Sequence, residues 1–437
     1  MNAQSQDTLG YSPQQYAAFR RGAVRYLLLF SVLYCFTYCM RLNLSSAAAA
    51  MTAQLHWSSA QIGVLTGTLF WTYAVGQLFS GRLSEVFGTS RFVVLSVLLS
   101  AAANILLGFQ SSLLVMAILW GVNGFFQSMS WAPGIAALTN WWPGNRRGFA
   151  TGFAQAFSGF GQAAATLSVA LAFAVLPNQG WRAAFWLPTA FPLLFLVFFV
   201  LFTRDSPEKI GLPAYRESDP EREENEYAMQ ELLREKGKMY PFKYVMTDKR
   251  FLLWTLIAFI VGLARYGLIT WIPMYFTERF DMDVTSGLLQ SLTLPVGMGI
   301  GSLVVPWMTD KFCPTNRLPA VALSALFGAA AVGAIVMLDP RSSIQAAALQ
   351  ILLFIAGFCI YAINGTAWAY ATDIGGRVFS GTSSGILNFS AYLGAAVQSF
   401  VYGFLLTHIG WNMVFISVAV LCGSVIILSL IGAKRKQ

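Results

Sequence analysis

Twelve apolar runs long enough to cross a bilayer, divided six and six by a single charged stretch, leave this chain few folds to choose from. The runs fall near residues 26–51, 60–80, 92–109, 113–135, 148–176, 183–202, 251–276, 287–308, 318–337, 344–366, 380–406 and 411–431. A helix needs about 20 apolar residues to span roughly 30 Å of hydrocarbon, and in lipid its backbone N–H and C=O groups must be bonded internally. Runs of this length predict transmembrane helices. The 437 residues are 56% hydrophobic and 11% charged, with a mean hydropathy of +0.60, more apolar surface than one soluble core can hide. The reading is an all-α polytopic membrane protein. The first run is too long for a cleavable signal, and no small-residue cleavage site follows a short apolar core.

The charged stretch, 203–250, interleaves ten basic residues with eleven acidic ones. That pattern suits a solvated, partly helical linker. The chain therefore divides into an N-terminal segment (1–25), a six-helix half (26–202), the linker (203–250), a second six-helix half (251–431) and a short tail (432–437). Of 28 Lys and Arg residues, 23 fall on the side of the linker and both termini, and only Arg182, Arg279 and Arg341 fall on the other. The positive-inside rule then makes both termini and the linker cytoplasmic, in a multi-pass cell (inner) membrane protein. The net charge of +9 is explained by topology and calls for no nucleic-acid partner. Cys35, Cys39, Cys359 and Cys422 lie in spans and Cys313 in a cytoplasmic loop, so no structural disulfide is expected. The expected surroundings are the bilayer itself, with the chain as a monomer.

The remaining two basic residues are the informative ones. Arg41 lies about sixteen residues past Arg25, and Arg265 about fifteen past Arg250. At about 1.5 Å per residue, each sits roughly 23 Å along its helix, near the bilayer middle. An arginine there costs roughly 2.5–3.5 kcal/mol on the insertion scale. Snorkelling fails on depth, and no Asp or Glu lies deep in any span: Glu278 and Asp373 are near span ends. With no internal counter-ion, the pair is expected to hold an anion from outside. Arginine meets a phosphate or carboxylate with a planar, two-pronged fork of donors. Tyr38 and Tyr34, three and seven residues before Arg41, share one helix face with it. Their hydroxyls can donate to the same anion, or their rings can simply pack.

The halves repeat weakly in one order. Gly81-Arg-Leu-Ser-Glu85-Val-Phe-Gly88-Thr-Ser-Arg91 matches Met308-Thr-Asp310-Lys-Phe-Cys-Pro-Thr-Asn-Arg317. Gly180-Trp181-Arg182 matches Gly410-Trp411-Asn412, and offsets of 224, 225 and 230 relate Arg41/Arg265, Glu85/Asp310 and Trp181/Trp411. Parallel repeats of this kind build transporters. The loop pair resembles the signature of the major facilitator superfamily, with Glu85 where that family usually has Asp. An acid at a helix end facing arginines across a short loop can latch helices, so Glu85, Arg91, Asp310 and Arg317 are latch candidates; enforcing topology is the simpler alternative.

A closer resemblance runs from about residue 25 to 431. Asn123-Gly-Phe-Phe-Gln127-Ser-Met129-Ser-Trp131-Ala-Pro133, Trp141-Trp142, Arg147-Gly148, Arg204-Asp-Ser-Pro207-Glu-Lys-Ile-Gly-Leu-Pro213 and Arg265-Tyr-Gly-Leu-Ile-Thr-Trp271-Ile-Pro273-Met-Tyr275 resemble the organophosphate:inorganic phosphate antiporter family. The resemblance implies the two-half major facilitator fold and exchange of glycerol 3-phosphate, hexose 6-phosphates or phosphoglycerates for phosphate. It implies phosphate binding by Arg41 and Arg265, with Tyr34, Tyr38, Tyr361 and Tyr392 at the family's pocket tyrosines. Departures stand beside it: Leu42 and Gln77 replace lysines, Ser158 a histidine, and Thr270 an acid.

Gln77 and Asn388 are kept as further pocket candidates, while Asn43, Asn123, Gln127, Gln155, Gln162, Asn364 and Gln398 read as interhelical hydrogen-bond partners. No metal cluster, nucleophile triad or phosphate loop stands in the sequence, so neither an enzyme nor a cofactor is expected. The function so read is secondary transport of a small organic anion. A carboxylate or phosphonate cargo, or a transporter-like sensor of a sugar phosphate, stand as alternatives.

Overall fold

The computed structural model describes residues 11–434 apart from 143, 214–219, 238, 314–315 and 339–342. The side chains of some helical residues, Glu85, Arg147, Asp310, Asp373 and Arg377 among them, also lie outside the described residues. Twelve helices long and apolar enough to cross a membrane follow one another: Pro13–Leu55, Ser59–Ser80, Thr89–Leu107, Leu113–Trp141, Phe149–Val175, Pro177–Phe202, Lys249–Phe280, Val284–Thr309, Leu318–Ile335, Gln345–Trp368, Gly381–His408 and Trp411–Ala433. They are called here the first to twelfth spans.

Two span boundaries differ from the sequence reading in an informative way. The first helix begins at Pro13, because Ser12 and Gln15 form a reciprocal capping box and proline stands at the first helical position. The tenth and eleventh spans are joined by helical residues, so that Ser343–His408 is helical throughout. A straight helix of that length would reach about 100 Å, three bilayer cores. The chain instead reverses, and the Ser383 hydroxyl donates to the Ala371 carbonyl twelve residues back at 2.7 Å.

The linker is partly helical as read, with helices at Pro220–Lys236 and Tyr240–Thr247. The second lies against the lead into the eleventh span, Tyr244 meeting Phe379 edge-on at 5.3 Å. At the linker's start, Trp141 Nε1 donates to the Arg204 carbonyl and Tyr11 Oη to the Pro213 carbonyl. These bonds tie the N-terminal segment, the fourth span and the linker together.

The halves touch on both sides of the bundle's middle. On the side away from the linker, the Ala60 amide at the start of the second span donates to Thr407 Oγ1 at the end of the eleventh, at 3.2 Å. On the linker side, Trp131 of the fourth span meets Trp368 of the tenth edge-on at 5.7 Å. Between them the fifth and eighth spans cross where both carry glycine: a Cβ on Gly159 would stand 2.6 Å from the Gly299 Cα. Only glycine permits so close a crossing.

Candidate functional site

The first span is not one continuous helix. Regular helix runs Pro13–Thr37, a single 3-10 turn follows over Tyr38–Met40, and helix resumes at Asn43–Leu55. The expectation of one unbroken run through Arg41 is corrected here, and the reason lies in neighbouring amides. Gln127 Nε2 donates to the Thr37 carbonyl at 3.2 Å, and Asn123 and Asn104 both donate to the Met40 carbonyl, at 2.7 and 3.2 Å. Backbone groups released by a break at membrane depth must be bonded by other parts of the protein. Asn123 and Gln127 were read as helix-to-helix partners, and their partner proves to be the broken backbone itself. Asn104 escaped the sequence reading.

Arg41 occupies the break and is 1% exposed. One terminal nitrogen donates to Tyr392 Oη at 2.7 Å and the other to Gln127 Oε1 at 2.9 Å. Tyr392 belongs to the second half, so this bond joins the halves. The rings of Tyr38, Tyr73 and Tyr34 lie 4.5, 4.7 and 5.7 Å from the guanidinium carbon. Tyr34 and Tyr38 thus face Arg41 despite the break, and both also pack, edge to face at 5.7 Å.

Arg265 is 5% exposed and lies within the unbroken helix Lys249–Phe280. Its guanidinium rests between the rings of Tyr361 and Tyr266, 4.3 and 4.4 Å away. Its Nε and Nη2 have no hydrogen-bond partner. Those two atoms form one edge of the guanidinium, the edge that grips two oxygens of an anion side by side. The arginines are linked through rings: Tyr266 lies 5.4 Å from Tyr392, which is bonded to Arg41.

Tyr361 makes the reciprocal tie from the second half to the first. Its hydroxyl lies 2.5 Å from Ser158 Oγ and accepts from Gln155 Nε2 at 3.1 Å. Ser158 stands where the resemblance places a histidine, and it serves as a cross-half partner.

Gln77 donates through Nε2 to the Ser128 carbonyl at 3.0 Å and leaves Oε1 buried without a partner. The fourth span is two helices, Leu113–Gln127 and Trp131–Trp141, and this bond ties the second span to the break between them. Asn388 is buried one helical turn before Tyr392 and so shares its face. Tyr73 and Tyr266 were not among the sequence candidates. Tyr73 stacks on Tyr392 at 3.9 Å; its place four residues before Gln77 was the available signal, as was Tyr266's adjacency to Arg265. Of the latch candidates, Glu85 and Asp310 have side chains outside the described residues. Arg91 is exposed, and Arg317 is half-buried at the head of the ninth span.

The neutral neighbours offset only part of the cost of burying the two arginines. Taking a guanidinium out of water costs several kcal/mol even after relaxation, whereas each aromatic face returns about 0.5–2 kcal/mol. No ion pair engages either arginine among the described residues. Two cations are thus held by neutral rings, amides and hydroxyls.

A twelve-span helical bundle of two repeated halves, with a buried cation site at their junction, defines the architecture of a secondary transporter. The chain matches the Major Facilitator Superfamily over residues 30–399 and belongs to that family, a family of transporters and not of enzymes. Its fold resembles that of a bacterial homologue of the human lysosomal transporter Spinster in an inward-facing, occupied conformation, with a TM-score of 0.72, 17% identity and 98% of each chain covered. Among relatives, it is 27% identical to a probable hexose phosphate transport protein of Chlamydia pneumoniae, over 90% of this chain and 87% of that one. It is 26% identical to the glycerol-3-phosphate transporter of Bacillus subtilis, over 93% and 91%. It is 25% identical to a probable sulfoacetate transporter of Cupriavidus necator, over 87% and 86%. The two phosphate-ester transporters agree with the organophosphate:inorganic phosphate antiporter resemblance of the motifs.

Proposed function

We propose that the protein exchanges a small dianionic organophosphate for inorganic phosphate across the cell (inner) membrane, both termini cytoplasmic, with the anion held between Arg41 and Arg265. The observation that carries this reading is the Nε–Nη2 edge of Arg265, buried and without a partner. A phosphate monoester carries about −1.5 to −2 at pH 7 and matches two guanidinium charges. Its oxygens would take the open edge of Arg265 and displace the Arg41 contacts to Gln127 and Tyr392, while Tyr38 and Asn388 supply further donors. Loaded, the site is nearly neutral and the halves can rock; empty, it holds two uncompensated cations, and reorientation is costly. Proton coupling has no carboxylate beside the two arginines to use among the described residues.

A second cargo class has an observation of its own. Leu42, Gln77 and Ser158 leave the site without the lysines and histidine of the resembled family, and one relative is named for sulfoacetate. A sulfonate–carboxylate dianion presents the same charge across two ends.

The test is exchange into phosphate-loaded proteoliposomes, screened with glycerol 3-phosphate, hexose 6-phosphates, phosphoglycerates and sulfoacetate. Uptake of a phosphate ester that requires internal phosphate supports the first reading. Uptake of sulfoacetate alone supports the second. No exchange of any dianion, by protein that is folded and inserted, removes both.

A further inference from the structure

The motif beginning Arg204-Asp-Ser-Pro207 is not used by the arginine site, and it frames a separate cavity. That cavity, of about 470 Å³, lies on the linker side between the start of the third span and the end of the sixth. Its floor carries Arg91, Arg204, Lys209 and Asp205, and its walls carry Leu95 and Val200. We propose that it binds the headgroup of an anionic glycerophospholipid from the leaflet facing the linker.

Charge, shape and depth point the same way. Three cations and one carboxylate leave the floor at about +2, beside spans whose outer faces are apolar. Leu95, Leu98 and Leu99 on the third span and Val197, Phe198, Val200 and Leu201 on the sixth are all exposed. The apolar walls thus run directly into the surface that acyl chains cover. Basic pockets between transmembrane helices at this level recognise acidic headgroups.

The floor is also built. Trp141 Nε1 donates to the Arg204 carbonyl at 2.8 Å and Asn140 Nδ2 to the Asp205 carbonyl at 3.2 Å. Lys209 pairs with Asp205 Oδ2 at 2.7 Å. One Arg204 terminal nitrogen donates to the Thr203 carbonyl at 2.6 Å, capping the end of the sixth span, and its other nitrogens are left to a ligand. Arg91 has no ion pair or hydrogen bond among the described residues.

Asp205 narrows the headgroup. It is 7% exposed, and its Oδ1 is buried without a hydrogen-bond partner. A headgroup that offers a hydroxyl beside its phosphate satisfies that oxygen while the phosphate meets Arg91 and Arg204. Phosphatidylglycerol has this chemistry. Phosphatidate lacks the hydroxyl, and phosphatidylethanolamine lacks the net charge.

The experiment is native mass spectrometry of the full chain released from nanodiscs of mixed phosphatidylglycerol and phosphatidylethanolamine. Selective retention of phosphatidylglycerol is expected, falling about thirtyfold in Arg91→Gln/Arg204→Gln, the weight of two basic residues at an anionic surface. Arg20→Gln/Arg21→Gln, equal in charge and on the same side, is expected to retain lipid normally. Should the double variant not insert, Leu95→Trp narrows the apolar mouth without touching a charge and is expected to lower retention likewise. Equal retention of both lipids, equal loss in the Arg20/Arg21 control, or displacement by soluble glycerol phosphate or inorganic phosphate overturns the assignment.

Discussion

Replacing Arg265 with lysine separates charge from geometry at the site. The arginine presents Nε and Nη2, both buried and unpartnered, and an anion would accept from both. A hydrogen bond involving a charged group contributes about 1.5–3 kcal/mol. Lysine keeps the cation between Tyr266 and Tyr361 but offers a single point donor in place of the two-pronged edge. The loss of one such bond weakens phosphate binding by about 10- to 150-fold. The folded state should change little, since Arg265 makes no described hydrogen bond that lysine would forfeit. Isothermal titration of phosphate into purified Arg265→Lys, alongside exchange in proteoliposomes and a thermal melt, reads all three quantities. Affinity and exchange within about threefold of wild type would refute the two-arginine site. Arg41→Lys is expected to lose most exchange as well while still inserting, because lysine cannot reproduce the fork that reaches Gln127 and Tyr392 together.

Further outcomes follow from the same geometry. Labelled phosphate should leave preloaded vesicles only when an exchangeable anion is outside; equal efflux into anion-free buffer would mean that the empty carrier returns freely. A cysteine at position 220, in a background lacking the five native cysteines, should resist membrane-impermeant reagents in intact cells; ready labelling from outside would invert the topology. Gly159→Val should abolish transport, since its Cβ would stand 2.6 Å from the Gly299 Cα across the junction of the halves, while Gly152→Val, where a Cβ meets nothing within 4 Å, should transport normally. Similar transport by the two valine variants would remove the close crossing as a requirement.

The number and order of spans were legible because lipid imposes one rule on every helix: about 20 apolar residues with internally bonded backbone. The arginines were legible for the converse reason, since a cation at that depth breaks the rule. What pattern could not supply was the break at Tyr38–Leu42. Apart from Arg41 its residues are apolar or aromatic and read as helix, while its cause lies in amides on other spans, Asn104, Asn123 and Gln127. Periodicity reports a segment's own face and is silent about a partner 60 or more residues away. The same limit hid Tyr73 and Tyr266, whose relevance comes from tertiary placement around Tyr392. The polar partners of Tyr361 were visible as residues, Gln155 and Ser158, but their meeting across the halves was not.

Those cross-half bonds bear on why the site would move only when loaded. In this arrangement Arg41 of the first half leans on Tyr392 of the second, and Tyr361 of the second leans on Ser158 and Gln155 of the first. Parting the halves on either side strains both ties, and a buried cation deprived of its acceptor costs more than a neutral hydroxyl deprived of its own. Arg41 is therefore the expensive member to release. An anion bridging Arg41 and Arg265 would substitute for Tyr392 as acceptor, so the Arg41–Tyr392 tie could open without stranding a charge on Arg41. A third cation at Leu42, Gln77 or Ser158 would leave a bound dianion at net +1 and restore part of the cost of movement. Two arginines and neutral neighbours fit a dianion without that remainder, and the replacements at those three positions are consistent with balancing the loaded carrier.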